Sequence, residues 1–168
     1  MSIAQGFLPE FDNELKTTRS LLAIVPEAQK DWTPHPKSMT LGQLAQHIVD
    51  MMGWVGPTMT ADAFDIAPPG GAAWVPPQFT TTATLLADFD RNAATARAGI
   101  AGASDEAMHA TWSLLRGGQT LMAMPRIASL RGMLMNHIIH HRGQLSVYLR
   151  LLDVPLPSIY GPTADTGR

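Results

Sequence analysis

Three of the six histidines in this 168-residue chain fall in one short stretch, Asn136-His137-Ile138-Ile139-His140-His141-Arg142-Gly143-Gln144. A helix turns about 100° per residue, so His137 and His141, four apart, stand on one face about 6 Å from each other. Two imidazoles so placed can hold one divalent metal, with a third ligand supplied by an earlier helix. The ordinary alternative is a pair of hydrogen-bonded core histidines. Burying two imidazoles is costly unless every ring nitrogen finds a partner, and a shared metal supplies one to each.

The surrounding helix selects among the three. Leu134, Ile138, His141, Leu145, Tyr148 and Leu152 recur at spacings of four and three, the stripe of a bundle helix. Measured from His141, His137 lies roughly 40° to one side and His140 roughly 100° to the same side. His137 and His141 therefore face the bundle, and His140 sits at its rim. Gln144, roughly 60° off on that side, is close enough to support the site through a hydrogen bond to a ligand. Pro125 suits the first turn of this helix, and Val154-Pro155-Leu156-Pro157 ends it.

Earlier segments supply the remaining walls. Ile3, Phe7, Phe11, Leu15, Thr18 and Leu22 form a first amphipathic stripe that starts or kinks at Pro9 and closes at Pro26. Trp32 to Ser38 reads as an extended loop, because each proline pushes its predecessor out of the α region. Thr40 and Gln43 then make a capping box for a second helix with Leu41, Leu44, Ile48, Met51 and Val55 on one face. His47 lies beside that face, at the core margin. The stretch from Pro57 to Thr80 holds two Pro-Pro pairs and a Gly-Gly pair, so a long irregular loop is expected, with a short helical piece at Thr60 to Phe64. Loops of this length tend to be lids, binding loops or interface elements. Trp54 and Trp74 either pack as large buried rings or line a pocket.

Thr81 or Thr82 caps a third helix that runs to about Ala103, its stripe narrow and rich in alanine. Ser104-Asp105-Glu106 caps one short turn. The period then changes to two, and Thr111 to Leu115 and Thr120 to Met124 flank Arg116-Gly117-Gly118-Gln119, which is a β-hairpin signal. Four helices, two long connections and one hairpin before the last helix predict an all-α four-helix bundle, a single domain over 1–168.

Composition closes off several function classes. With no cysteine, disulfides, thiolate metal sites and a cysteine nucleophile are excluded, and a metal must be held by nitrogen or oxygen. Twelve Lys and Arg spread along a chain of net charge −2 leave no basic footprint for nucleic acid. The amino terminus lacks the basic and apolar regions of a signal peptide, and no apolar run approaches the roughly 18 residues a membrane span needs. A soluble cytoplasmic protein is the expectation.

The same residues carry a family resemblance. Trp32-x-Pro-His-x-Lys-Ser38, Leu41-Gly-Gln-Leu-Ala-Gln-His47-Ile and above all His137-x-x-x-His141-Arg-Gly-Gln144, followed by Tyr148-Leu-Arg and Tyr160-Gly-Pro, resemble the DinB-like metalloproteins. That superfamily also holds bacillithiol S-transferases and mycothiol-dependent maleylpyruvate isomerase. The resemblance spans nearly the whole chain and implies a bundle of up-down-down-up connectivity, usually a homodimer. It also implies a zinc or nickel ion held by His47, His137 and His141, with positions left for water or substrate.

Such a site would lower the pKa of a bound water from 15.7 to about 7 and turn a bound thiol into thiolate. The first expectation is thus a metal-dependent enzyme acting on a small molecule, by activating a low-molecular-weight thiol for transfer or a water for hydrolysis. The alternative is a non-catalytic metal-binding stress-response protein, which a mouth filled with Leu or Phe would favour; a third is a metal-free interaction module. Asp50 and Glu14 are carboxylate candidates by helix position alone, and solvated surface charge is the expectation for both. For His35 and Arg142, candidates to orient an anionic substrate, an exposed loop histidine and a structural ion pair are the simpler expectations.

Overall fold

The computed structural model describes residues 1–167. Its elements run α1 Ile3–Leu22, a 3-10 turn at Glu27–Gln29, α2 Leu41–Gly53, α3 Val55–Thr60, β1 Ala63–Asp65, α4 Thr82–Ala101, α5 Asp105–His109, β2 Thr111–Arg116 and β3 Gln119–Pro125. A final rod then passes from α6 Arg126–Ala128 through a π-helical stretch, Ser129–Met135, into α7 Asn136–Leu151.

Cross-helix pairs fix the directions. Arg19 meets Asp90 and Arg97 meets Asp12, so α1 and α4 are antiparallel. Arg131 pairs with Glu10 and Arg142 with Glu14, so the last rod runs parallel to α1. His47 faces His137 while Met39 receives the Tyr148 hydroxyl, which sets α2 antiparallel to α7. The bundle is up-down-down-up, as expected, with α1 and α2 both packed between α4 and α7. One cluster of buried apolar side chains fills it, among them Phe7, Phe11, Leu44, Ile48, Phe89, Ile100, Leu134 and Leu145. Among the described residues no helix is long and apolar enough to cross a membrane.

The first helix starts earlier than Pro9. Ser2 Oγ accepts from the Gln5 amide at 3.2 Å and Gln5 Oε1 from the Ser2 amide at 2.9 Å, a capping box that outweighs the proline. Pro9 is exposed, so water can reach the carbonyl its ring leaves unbonded, one turn back. The second helix begins at the predicted box, with Thr40 Oγ1 3.2 Å from the Gln43 amide and Gln43 Oε1 2.9 Å from the Thr40 amide.

The hairpin forms where the period-two pattern places it. Gly117 and Gly118 take φ of 62° and 76°, the positive pair that a tight two-residue turn demands. Asp65 accepts from both their amides, at 3.0 and 2.7 Å. That contact brings in a third strand: β1 pairs parallel with β2, Ala63 opposite Ser113. The helical piece expected at Thr60 to Phe64 lies earlier, at Val55–Thr60, and Phe64 belongs to the strand. A three-residue strand has too little sequence to show a period of its own and exists because β2 offers an edge.

Candidate metal centre

The histidine trio is assembled by α2 and α7. Leu44 and Ile48 bury one face of α2, which leaves His47 at the margin, directed at α7. On α7, Ile138 and Leu145 are buried and hold the face carrying His137 and His141 against α2. The rings of His47 and His141, and of His137 and His141, have centroids 4.6 Å apart. His47 Nε2 lies 3.4 Å from His137 Nε2. One nitrogen from each of the three rings falls within 4.8 Å of the others, a three-imidazole grouping of the kind that holds a single ion.

Neighbours orient the rings for this. His141 Nδ1 lies 2.7 Å from Gln144 Oε1; as the amide oxygen can only accept, Nδ1 carries the proton and Nε2 keeps its lone pair. The Met133 carbonyl in the π-helical stretch favours the protonated His137 ring, whose Nε2 is turned to His47. All three imidazoles are pushed toward the neutral, ligating form. Burial lowers the His47 pKa to about 4, with the charges of His141 and His137 adding to it. Burial likewise lowers His137 and His141, opposed by the bonds to Met133 and Gln144.

The other candidates separate cleanly. His140 is exposed at the rim, its ring edge-on to His141 at 4.9 Å. His35 is exposed and uses Nδ1 to accept the Lys37 amide at 3.1 Å, closing a turn in its own loop. Arg142 is buried and pairs with Glu14 at 2.6 Å, a structural ion pair. The expectation of solvated surface charge fails for Glu14 and Asp50: both are buried. Glu14 is drawn in by Arg142. Asp50, one turn after His47, is held by Gln46 Nε2 at 3.1 Å, and burial raises its pKa.

Sequence reasoning did not find the cavity beside His47, about 320 Å³, walled by Met39, Gln43, Gln46, His47, Asp50 and Phe79. The signal was available: Gln43, Gln46, His47 and Asp50 recur at three and four along α2, a polar stripe next to the apolar one.

Residues 10–145 match the DinB superfamily family model. The chain belongs to the DinB superfamily. Its fold is that of a DinB-like protein from Bacillus cereus ATCC 10987, with a TM-score of 0.72 at 23% identity over 95% of this chain and 98% of that one. A DinB-like protein from Bacillus subtilis, YjoA, gives 0.68 at 17% identity over 93% and 98%. No functionally curated protein matches in sequence. Within this superfamily fold the chain presents a three-histidine cluster that could bind a metal ion.

Proposed function

We propose that His47, His137 and His141 hold one zinc or nickel ion and that this DinB protein is a metal-dependent enzyme acting on a small molecule. The observation that carries the reading is the convergence of three ring nitrogens within 4.8 Å beside an open cavity that His47 lines. The donor set fits: three imidazoles kept neutral by burial, one fixed in its tautomer by Gln144, face a common point. When bound, such an ion lets a low-molecular-weight thiol or a water act as nucleophile near neutral pH. The chain's own residues do the rest. Gln43, Gln46 and Asp50 give the cavity a polar wall, and Phe79 with Pro76 and Pro77 closes it on the loop side.

The choice of thiol transfer over hydrolysis rests on the family resemblance. Open space beside His47, with Gln43, Gln46 and Asp50 on its α2 wall, supports catalysis over the alternative of a non-catalytic metal-binding stress-response protein, whose ion would sit behind an apolar plug. A homodimer belongs to the same reading and is supported by Val147 and Leu151, four apart on α7 and 57% and 58% exposed; light scattering should return twice the chain mass. A cytoplasmic setting without a nucleic-acid partner completes it.

Elemental analysis of protein purified without a nickel column should find close to one zinc or nickel per chain, lost in His137→Ala. Full occupancy in that variant would remove the ligand assignment. The metal-loaded protein is then screened with biological thiols against a panel of electrophiles; silence with metal bound would leave the non-catalytic reading.

A further inference from the structure

A second cavity of about 310 Å³ shares Asp50 and Pro77 with the one beside the histidines. Its walls include Trp54, Phe64, Trp74 and Trp112, together with Arg91 and Asn92. Trp54 meets Trp74 edge-on, with centroids 5.5 Å apart and planes at 89°, and meets Phe64 at 5.2 Å and 60°. Rings set at such angles form an aromatic wall along one side of an open cavity. The box is held from outside. Phe64 lies in β1 and Trp112 in β2, and the Trp74 amide donates to the Ile66 carbonyl at 2.8 Å, which ties the loop back to the sheet.

The polar groups of this cavity are unspent in one sense only. Asp50 is 7% exposed; one of its oxygens accepts from Gln46, and among the described residues no cation pairs with it. Asn92 uses its amide N–H on the Val49 carbonyl at 3.2 Å, which leaves its oxygen as an acceptor. Arg91 is engaged by Asp88 at 2.6 Å, so the uncompensated charge is that of Asp50. The indole N–H groups of Trp54 and Trp112 are shielded from solvent and without a partner among the described residues.

A ligand that completes this cavity brings positive charge and hydrogen-bond donors and has an apolar body. Aromatic faces attract a cation through their quadrupole. A buried carboxylate without a counter-charge is costly until one arrives. We infer that the cavity between Asp50 and the rings of Trp54, Phe64, Trp74 and Trp112 binds a small organic ammonium ion, its charged end on Asp50 and its body against the indoles. An anion would meet the Asp50 carboxylate; a neutral ligand would leave Asp50 uncompensated. This site needs no metal, and its occupant would lie against the wall it shares with the histidine cavity.

The test uses the intact protein and three probes of one shape: 2-phenylethylammonium, neutral 2-phenylethanol and anionic 3-phenylpropionate. Titration calorimetry and tryptophan fluorescence should show saturable one-to-one binding of the ammonium, at least about tenfold tighter than the alcohol, and none of the propionate. Asp50→Asn should erase the preference for ammonium over alcohol. Trp74→Ala, at the exposed edge of the box, should weaken ammonium binding about tenfold. Equal or tighter binding of alcohol or propionate, no saturation by the ammonium below about 10 mM, or an undiminished preference in Asp50→Asn would each overturn the inference. If Asp50→Asn does not fold, the wild-type probe series and Trp74→Ala still decide it. Metal content measured on the same samples keeps this outcome separate from that of the histidine site.

Discussion

His141 and Arg142 are consecutive on α7 and both buried, and each enters a polar cluster, but the two clusters are finished to different degrees. Arg142 points to α1. Its guanidinium is 2.6 Å from a Glu14 carboxylate oxygen and also donates to Thr18 Oγ1 at 3.2 Å and to the Tyr160 hydroxyl at 2.5 Å. That hydroxyl in turn donates to Glu14 at 2.9 Å. His141 points to α2, where three ring nitrogens face one another without a donor set that satisfies all of them. A closed polar network rigidifies a core; an open one needs something brought to it. The first cluster locks the tail onto α1 and α7, and the second is where a ligand belongs.

Breaking the closed cluster should cost the most. Arg142→Ala strands the Glu14 carboxylate in the core and should lower stability by about 3–5 kcal/mol, read from urea unfolding. His137→Ala in metal-free protein should shift the same midpoint by the equivalent of about 1 kcal/mol or less. Equal losses would mean that the histidines are as much a part of the scaffold as the ion pair.

Acid should separate the clusters next. The trio's pKa values are depressed in the fold, that of His47 to about 4 from 6.5, so the unfolded chain takes up protons first. Metal-free protein should therefore hold this part of its stability above about pH 6.5 and lose it as pH falls toward about 4. His47→Gln should flatten that slope, as measured by thermal melts across the range. A slope of the same steepness in the variant would place the acid sensitivity elsewhere.

Gln144→Leu sharpens the comparison from the other side. Without the Oε1 acceptor, His141 Nδ1 loses its partner, and metal affinity in chelator competition should fall about 10–100-fold with little change in the fold. The smallest effect is expected for His140→Ala, which should leave metal affinity within about twofold, because an exposed rim residue contributes little. A large loss there would make His140 a ligand and undo the choice of His141.

What was legible in the chain follows the range of the interactions. The capping box at Thr40 and Gln43, the Gly117-Gly118 turn and the helix end before Pro155 are local, and each appears at its position. The Ser2 and Gln5 box is equally local, and it outweighs the Pro9 signal. The pairing of His137 with His141 and the exclusion of His140 followed from helical angle alone. Glu14 and Asp50 were misplaced because a carboxylate's burial depends on what a distant segment brings to it: Arg142, 128 residues on, for Glu14. The strand at Ala63–Asp65 was missed for the same reason, its partner β2 lying some 50 residues later.

By itself, then, the sequence determined four amphipathic helices, a hairpin, and two histidines on one inward face, because hydrophobic period, caps and turn glycines act within a few residues. It also excluded thiolate from any metal site. Only the tertiary structure decided that His47 closes the trio at hydrogen-bonding range, that Arg142 and Glu14 lie buried together, and that Trp54, Phe64, Trp74 and Trp112 surround one cavity beside Asp50. The first two join segments 90 and 128 residues apart, the third gathers rings from positions 54 to 112, and no local preference encodes them; the packing of α2 against α7, and of the loop against the sheet, does.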